Sequence, residues 1–421
     1  MLKRLFLKNW KSFRYAEMPL YPLTVLVGTN ASGKSNLVEA FEFLRRTVDG
    51  YKVETALAGD KIIPPIRGGI NWAALKPESE FTIKALVEGE GKQVDYLYSN
   101  TVETKPDALI LEEKITCREY QRDLKTIIFE RDFINSYIDF HDERENILKI
   151  STHYKNARWT LPNNDKSILT YFQNTYILDN VNEVNLVVDH LKKIYVFNPV
   201  PAKMRDYSKL SKTLESDAAN IAGVIADLSA RKQDEVEEIL TDYARGLPSG
   251  NIIKVWAERV GRHSGDAMLY CEEEWVNGEI QEVDARSMSD GTLRFIAIMV
   301  ALLTIPERSQ LIIEDVDNGL HPSRTELLAR MLREIGQKRQ IDLLVTTHNS
   351  ALLDAFGDEI VPYVIVAHRD ASTGESRLTK LKDIEDLPKL MVSGALGQLA
   401  TEGTIEKSLY QEKRDIKRAN Y

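Results

Sequence analysis

The sequence predicts an α/β protein with a mostly parallel core sheet, and three patterns lead to this prediction. A buried apolar run, Leu23–Val27, enters a glycine-rich loop, after which apolar residues recur at helical spacing. An apolar run, 311–313, and a later strand pattern, 342–347, are followed by polar residues, as strands of open α/β sheets are at their carboxyl ends. Residues 51–160 contain alternating apolar and polar runs, which indicate an additional antiparallel sheet.

The composition limits the kind of protein. The chain of 421 residues is long enough for two or three compact units, and its net charge of −9 argues against bulk attraction of a polyanion while permitting a local basic patch. Cys117 and Cys271 form no CxxC, which argues against a zinc site and favours a reducing, cytoplasmic location. The longest apolar run, 295–305, is too short to span a bilayer, and residues 1–13 do not resemble a signal peptide, so we expect no membrane association.

The stretch GTNASGKSN, residues 28–36, matches the phosphate-binding pattern G-x-x-x-x-G-K-[ST] in full, between a strand and a helix as the motif requires. Backbone N–H groups and the helix N-terminus would wrap the phosphates, Lys34 would neutralise the β- and γ-phosphates, and the Ser35 hydroxyl would ligate magnesium. The alternative is a glycine-rich turn that only starts a helix. The expected nucleotide-binding residues are Gly28, Asn30, Gly33, Lys34, Ser35 and Asn36.

Acidic residues follow the next predicted core strand. QLIIEDVDNGLHP, residues 310–322, begins with a short apolar run and continues with acids at its carboxyl end. A nucleotide site of this kind needs one acid in the magnesium shell and a second acid that orients the attacking water. The alternative is a strand that ends in a solvated acidic turn.

Two further stretches place polar residues beside buried elements. In RSMSDGTLRF, residues 286–295, Ser289 can cap an apolar helix, and Gly291 lets a backbone approach a ligand closely. In DLLVTTHNS, residues 342–350, a strand ends in His348. A lone histidine is usually structural, but this one follows the acidic strand at a suitable distance and ends a strand itself.

In this order, the phosphate-binding loop, SDGT, EDVDNGLHP and His348 resemble the motifs of ABC-class P-loop ATPases. The chain looks like the RecF, SMC and OLD-like branch, and within it like small AAA-type ATPases without a Toprim domain. LFLKNWKSF resembles the opening strand and turn of that branch, and ESDAANIAGVIADL resembles a helix between its two lobes. The resemblance covers residues 1–50 and roughly 194–370.

The resemblance implies an ABC-type fold with a parallel core sheet, an antiparallel β lobe and a helical insertion. It implies that ATP and Mg2+ are the cofactors, that ATP is hydrolysed to ADP and phosphate, and that two subunits close around the nucleotide. In such a dimer the signature loop of one subunit, here Ser289, Asp290 and Gly291, covers ATP held by the P-loop of the other. Ser35 and one acid would hold the metal, and His348 would belong to the catalytic group.

The acids depart from the family's usual order of aspartate followed by glutamate. By position, Glu314 is expected to hold magnesium and Asp315 to act as the catalytic base, with a side chain one methylene shorter than usual. The shorter side chain implies slow hydrolysis, or hydrolysis only when a partner closes the site. In a second register Asp315 holds the metal and Asp317 is the base, although Asp317 then lies far past the strand.

The motifs also predict the organisation of the chain. We expect a nucleotide-binding lobe with an antiparallel sheet at 1–160, a helical insertion at 161–193, a core strand and helical lobe at 194–245, and the remaining motifs of the same ATPase domain at 246–421. No heptad pattern lasts long enough for an SMC arm, and no DxD pair follows His348, so a Toprim nuclease in this chain is not expected.

The expected function is that of an ATPase that dimerises around Mg-ATP and drives a conformational or assembly switch. By analogy, it acts with a separate effector protein in a phage-defence or mobile-element system. The alternative is a RecF-like DNA-repair ATPase, for which salt-dependent DNA binding by the isolated protein is diagnostic; a transporter subunit is a third hypothesis. The basic end, 412–421, is interpreted as a solvated helix, with nucleic-acid contact as the alternative.

Overall fold

The computed structural model describes residues 1–91, 93–120, 127–138, 148–152, 158–161, 165–167, 169, 182–247, 251–262, 264–275, 277–384, 386–388, 391, 395–401, 404–405 and 408–409. The chain divides into two compact units. The first comprises Met1–Tyr21, Thr29–Ile194 and Val366–Thr379, and the second comprises Pro22–Gly28, Tyr195–Ile365 and Lys380–Tyr421.

The strands are β1 (Leu2–Trp10), β2 (Phe13–Pro19), β3 (Leu23–Val27), β4 (Glu80–Glu88), β5 (Val94–Glu103), β6 (Leu109–Tyr120), β7 (Ile127–Ile138), β8 (Leu148–Thr152), β9 (Arg158–Leu161), β10 (Ile194–Phe197), β11 (Ser208–Lys209), β12 (Ile252–Val260), β13 (Asp266–Glu274), β14 (Ile280–Asp284), β15 (Gln310–Ile313), β16 (Asp342–Thr347), β17 (Val364–Arg369) and β18 (Ser376–Lys380). The α-helices are α1 (Lys34–Val48), α2 (Val53–Ala58), α3 (Asn182–Lys192), α4 (Ile221–Ala226), α5 (Ala230–Arg245), α6 (Asp290–Thr304), α7 (Thr325–Lys338), α8 (Ser350–Phe356) and α9 (Leu396–Thr401). Across these described ranges, none of the helices combines the length and the apolar character needed to cross a membrane.

The first unit contains the antiparallel sheet that alternation predicts between residues 51 and 160. Its eight strands have the order β2-β1-β4-β5-β6-β7-β8-β9. Of the helical segment expected at 161–193, α3 is described. Residues 170–181 lie outside the described part of the chain, and so does the helix expected at 412–421.

An aromatic cluster fixes α1 against this sheet. The rings of Trp10 on β1 and Phe81 on β4 meet edge-on with centroids 4.8 Å apart, and Phe43 of α1 lies 5.7 Å from Trp10. All three side chains are fully buried, and burial of each phenylalanine stabilises the fold by about 2 kcal/mol. The Trp10 indole also donates to the carbonyl of Asn36, at 2.7 Å, so the cluster positions the first turn of α1.

The second sheet has the order β10-β15-β16-β3-β17-β18. Strands β15, β16 and β3 are parallel neighbours, and their buried residues Ile313, Val345 and Val25 are in register. Parallel strands that are covered on both faces are near-continuous apolar runs, as these are. Because the register aligns their carboxyl ends, Gly28, Glu314 and His348 follow the three strands at one edge of the sheet.

A further layer in the second unit packs α4 and α5 on the antiparallel sheet of β11–β14. The strands β12–β14 were not predicted from the sequence. Every residue of α4 is buried, and Gly223 in this helix lies directly against β11. Its N–H donates to the Ser208 hydroxyl at 2.8 Å, and an added Cβ would lie 1.9 Å from the carbonyl oxygen of Lys209.

We therefore expect Gly223→Ala to destabilise the protein by at least about 2 kcal/mol, because backbone cannot yield to an overpacked methyl group as a side chain can. Chemical denaturation measures the free energy of unfolding. The control is Gly265→Ala, where an added Cβ meets no atom within 4 Å. Equal stability of the two variants would contradict the close packing of α4 on β11.

Candidate functional site

Three residues of the loop between β3 and α1 have positive φ values, a conformation that glycine adopts readily. Gly28 and Gly33 have φ values of 153° and 112°, and Ala31 has a φ of 63°. An added Cβ at Gly33 would lie 2.5 Å from the Ser376 hydroxyl oxygen. Gly33 is thus required both for its left-handed conformation and for the space that its missing side chain leaves.

The start of α1 suits an anion. No side chain caps the helix at Gly33, and its first turn contains no acidic residue. Lys34 is buried in the loop, and its ammonium group donates to the carbonyl of Thr29 at 3.2 Å. A helix N-terminus with a lysine and no carboxylate attracts negative charge, so residues 28–36 fit a polyphosphate.

Residues distant in sequence hold the loop in place. The Asn36 amide donates to the Ser12 hydroxyl at 2.7 Å, and the Ser376 hydroxyl donates to the same oxygen at 2.8 Å. Arg369 donates to the carbonyl of Ala31 at 2.7 Å. Asn36, which the sequence assigns to nucleotide binding, therefore also anchors the loop to the β1–β2 turn.

The predicted acids and the predicted histidine come together in the second unit. Glu314 is buried directly after β15, whereas the Asp315 side chain is 41% exposed and has a backbone φ of 45°. The His348 Nδ1 lies 4.0 Å from the Asp315 carboxylate. The Thr346 hydroxyl on β16 accepts from the Asp315 N–H at 2.8 Å, so two neighbouring strands fix Asp315.

A buried arginine that the sequence analysis did not identify supports this group. Arg294 of α6 donates to the main-chain carbonyls of Glu314 and Asp315, at 3.2 and 3.1 Å. It also donates to the Pro199 carbonyl and the Asn198 side chain, each at 3.1 Å. Its one sequence signal is a single arginine immediately before nine consecutive apolar residues, 295–303.

The carboxylates of Glu314, Asp315 and Asp317, which we call the acidic group, act electrostatically on this one guanidinium. Burial lowers the pKa of Arg294, while the charges of Asp315, Asp317 and Glu314 act in the opposite direction. Asp317 is buried, and its Oδ1 has no hydrogen-bond partner in the described part of the chain. Arg294 thus orders the main chain of the acidic loop through carbonyl oxygens.

The predicted signature loop precedes α6 as expected. The Ser289 hydroxyl caps this helix by accepting from the Thr292 N–H at 3.1 Å, and Ser289 and Asp290 are both exposed. Gly291 is buried, and an added Cβ would lie 2.8 Å from the carbonyl oxygen of Gly319. The missing side chain at Gly291 thus makes room for the loop that follows the acids, and the predicted approach of a ligand at Gly291 stays a prediction.

Comparison with known proteins gives one family and a set of solved structures. The family model described as "AAA domain, putative AbiEii toxin, Type IV TA system" matches residues 23–354. No curated protein matches the sequence. An SMC head bound to the C-winged helix domain of ScpA is 13% identical over 90% of this chain and 97% of its own, with a TM-score of 0.52.

Two other SMC heads are similar at lower scores. One from Thermotoga maritima is 15% identical over 90% of this chain and 98% of its own, with a TM-score of 0.42. One from Pyrococcus furiosus, with an extended coiled coil and the C-terminal domain of ScpA, is 12% identical over 93% and 99%, with a TM-score of 0.47. The likeness to the ScpA-bound head confirms the predicted fold class, with its parallel core sheet and antiparallel lobe.

We expect Arg294→Met to lower the free energy of unfolding by about 3–5 kcal/mol, because buried carbonyls and carboxylates lose their cation. Denaturant titration measures the change. Arg231→Met is the control, since Arg231 is exposed on α5 and such surface changes stay within about 0.5 kcal/mol. A wild-type stability for Arg294→Met would show that the acidic group does not depend on this guanidinium.

Proposed function

The chain belongs to the family described as AAA domain, putative AbiEii toxin, type IV TA system, and has the fold of an ABC-class P-loop ATPase of the RecF/SMC-like branch; from this premise we propose that it hydrolyses Mg-ATP in a dimer. The cycle of binding and hydrolysis drives a conformational or assembly switch. The observation that carries the proposal is the loop at 28–36, whose positive φ values, buried Lys34 and uncapped helix start fit a polyphosphate.

We propose that magnesium arrives with the nucleotide. We assign Ser35 and Glu314 as its protein ligands, since magnesium in such sites takes most of its ligands from phosphates and water. In the described part of the chain, no three His, Cys, Asp or Glu side chains form a group that could hold a metal without a nucleotide. When bound, the ion would offset the phosphate charge.

We assign Asp315 as the base that orients the attacking water, with His348 beside it. Its partial exposure and its 4.0 Å separation from the His348 Nδ1 support this role, because a water needs access to the carboxylate. Asp317, the base in the second register, is buried and is less accessible to water. The proposed cycle is slow, since the Asp315 side chain is short.

The proposed switch acts through partners. Ser289, Asp290 and Gly291 would close over the nucleotide of a second subunit, and the exposure of Ser289 and Asp290 supports this. The description of the family refers to a toxin–antitoxin system, and one similar SMC head is bound to ScpA, a separate protein. Both support a separate effector in a defence or mobile-element system. The two buried, free cysteines support a cytoplasmic location.

Substitutions of Glu314 and Asp315 are expected to impair different steps of the ATPase cycle. Glu314→Gln should weaken the magnesium-dependent part of ATP binding, because a metal ligand is lost. Asp315→Asn should bind ATP normally, accumulate an ATP-bound dimer, and hydrolyse ATP about 100-fold more slowly, because the base is lost. ATP-binding titrations with and without magnesium, and light scattering, measure these effects. The reverse pattern would support the register in which Asp315 holds the metal.

The dimer is tested by mixing two inactive variants, Lys34→Ala and Ser289→Arg. In a mixed dimer one site has both lesions, and the other combines an intact P-loop with an intact signature loop. With free exchange, half of the dimers are mixed and each has one working site, so phosphate release should return to about a quarter of the wild-type rate. If exchange is confirmed by labelled subunits but no product forms even in a single turnover, the proposed trans arrangement is wrong.

A further inference from the structure

One arginine outside every predicted motif holds the loop that precedes α6. The Arg205 side chain, which is 29% exposed, donates to the carbonyls of Ala285, Arg286 and Met288 at 3.1, 2.8 and 2.8 Å. It also forms an ion pair with Asp290, the first residue of α6. A single planar guanidinium thereby binds four groups over six consecutive residues.

The segment that carries Arg205 is tied to the same loop by other contacts. The Arg286 guanidinium lies 5.7 Å from the ring centroid of Tyr207, so the loop contacts the segment in return. At the other end of the segment, Arg294 binds Asn198. The segment follows β10, whose last residue, Phe197, accepts a hydrogen bond from the Glu314 N–H at 3.1 Å. Residues 198–207 thus connect the acidic group with the signature loop.

The charge of Asp290 makes this contact relevant to an anionic ligand. Its carboxylate is 69% exposed at the N-terminus of α6, and an unpaired carboxylate there would repel a phosphate. Arg205 offsets that charge and holds the carbonyls of Ala285, Arg286 and Met288. With that charge offset, the N-terminus of α6 and the exposed Ser289 can attract a phosphate.

We propose that Arg205 is a positioning residue for hydrolysis, and that it acts on the nucleotide bound by the partner subunit and not on the nucleotide of its own subunit. The inference rests on the proposed dimer, in which the loop at 285–291 closes over the partner's ATP. Arg205 touches no nucleotide. Its role is to hold the loop in the conformation in which Ser289 and Gly291 complete the other site.

The first test is kinetic. Arg205→Ala should bind ATP with wild-type affinity, since its P-loop is intact, but its kcat should fall about 10- to 100-fold because the loop is misplaced. Arg205→Lys should recover only part of the rate, because an ammonium group cannot match the guanidinium geometry. The control is Lys203→Ala in the same segment, which removes only an exposed pair with Asp217 and should leave kcat unchanged. A full kcat in Arg205→Ala would overturn the inference.

The second test is complementation, which also separates positioning from a loss of stability. Arg205→Ala mixed with Lys34→Ala should recover about a quarter of the wild-type rate, because one site is then intact. Arg205→Ala mixed with Ser289→Arg should recover nothing, because every site then contains one damaged signature loop. Recovery in that second mixture would overturn the inference.

The outcomes distinguish this inference from the proposed dimer. If Lys34→Ala is rescued by Ser289→Arg but not by Arg205→Ala, Arg205 acts within its own subunit and the inference is wrong. If Ser289→Arg itself rescues nothing while subunit exchange is confirmed, the trans arrangement fails, and the inference fails with it. If Arg205→Ala does not fold, the same mixtures are made with Arg205→Lys.

Discussion

The hydrogen bonds of Arg294 are the interaction on which the acidic group of the second unit, Glu314, Asp315 and Asp317, depends. The guanidinium sits at the start of a buried helix and reaches the main chain on both sides of it, at Pro199 and at Glu314 and Asp315. Because its N–H groups donate to carbonyl oxygens, Arg294 orders the main chain of the acidic loop. Burying a cation this deeply is costly, and the three nearby carboxylates offset that cost.

Two other arginines also order loops by donating to main-chain carbonyls. Arg205 orders the loop before α6 through carbonyls, and Arg369 orders the phosphate-binding loop through the carbonyl of Ala31. In each case an arginine side chain supplies the hydrogen bonds that a loop lacks because it has no strand neighbour. Loops held in this way keep their reactive groups exposed while their backbone is fixed, which is what a preorganised site requires.

The motifs built from residues adjacent in sequence were predictable, and the contacts between distant residues that support them were not. The phosphate-binding loop is encoded by adjacent residues with fixed roles, and the parallel strands are short apolar runs, so both follow from spacing. Ser376 meets Ser12 across 364 positions, and no local pattern records such a contact. Arg294 was hidden within an apolar helix, and β12–β14 carry mixed burial that gives no clean alternation.

The left-handed backbone at Asp315, with its φ of 45°, limits which acid this position accepts. Aspartate enters that region far more readily than glutamate, for which the conformation costs roughly 1 kcal/mol or more. Replacing Asp315 by glutamate would therefore strain the turn, and Glu314 would still occupy the preceding place. Exchanging the two acids would therefore require a change in the backbone of the turn as well as in both side chains.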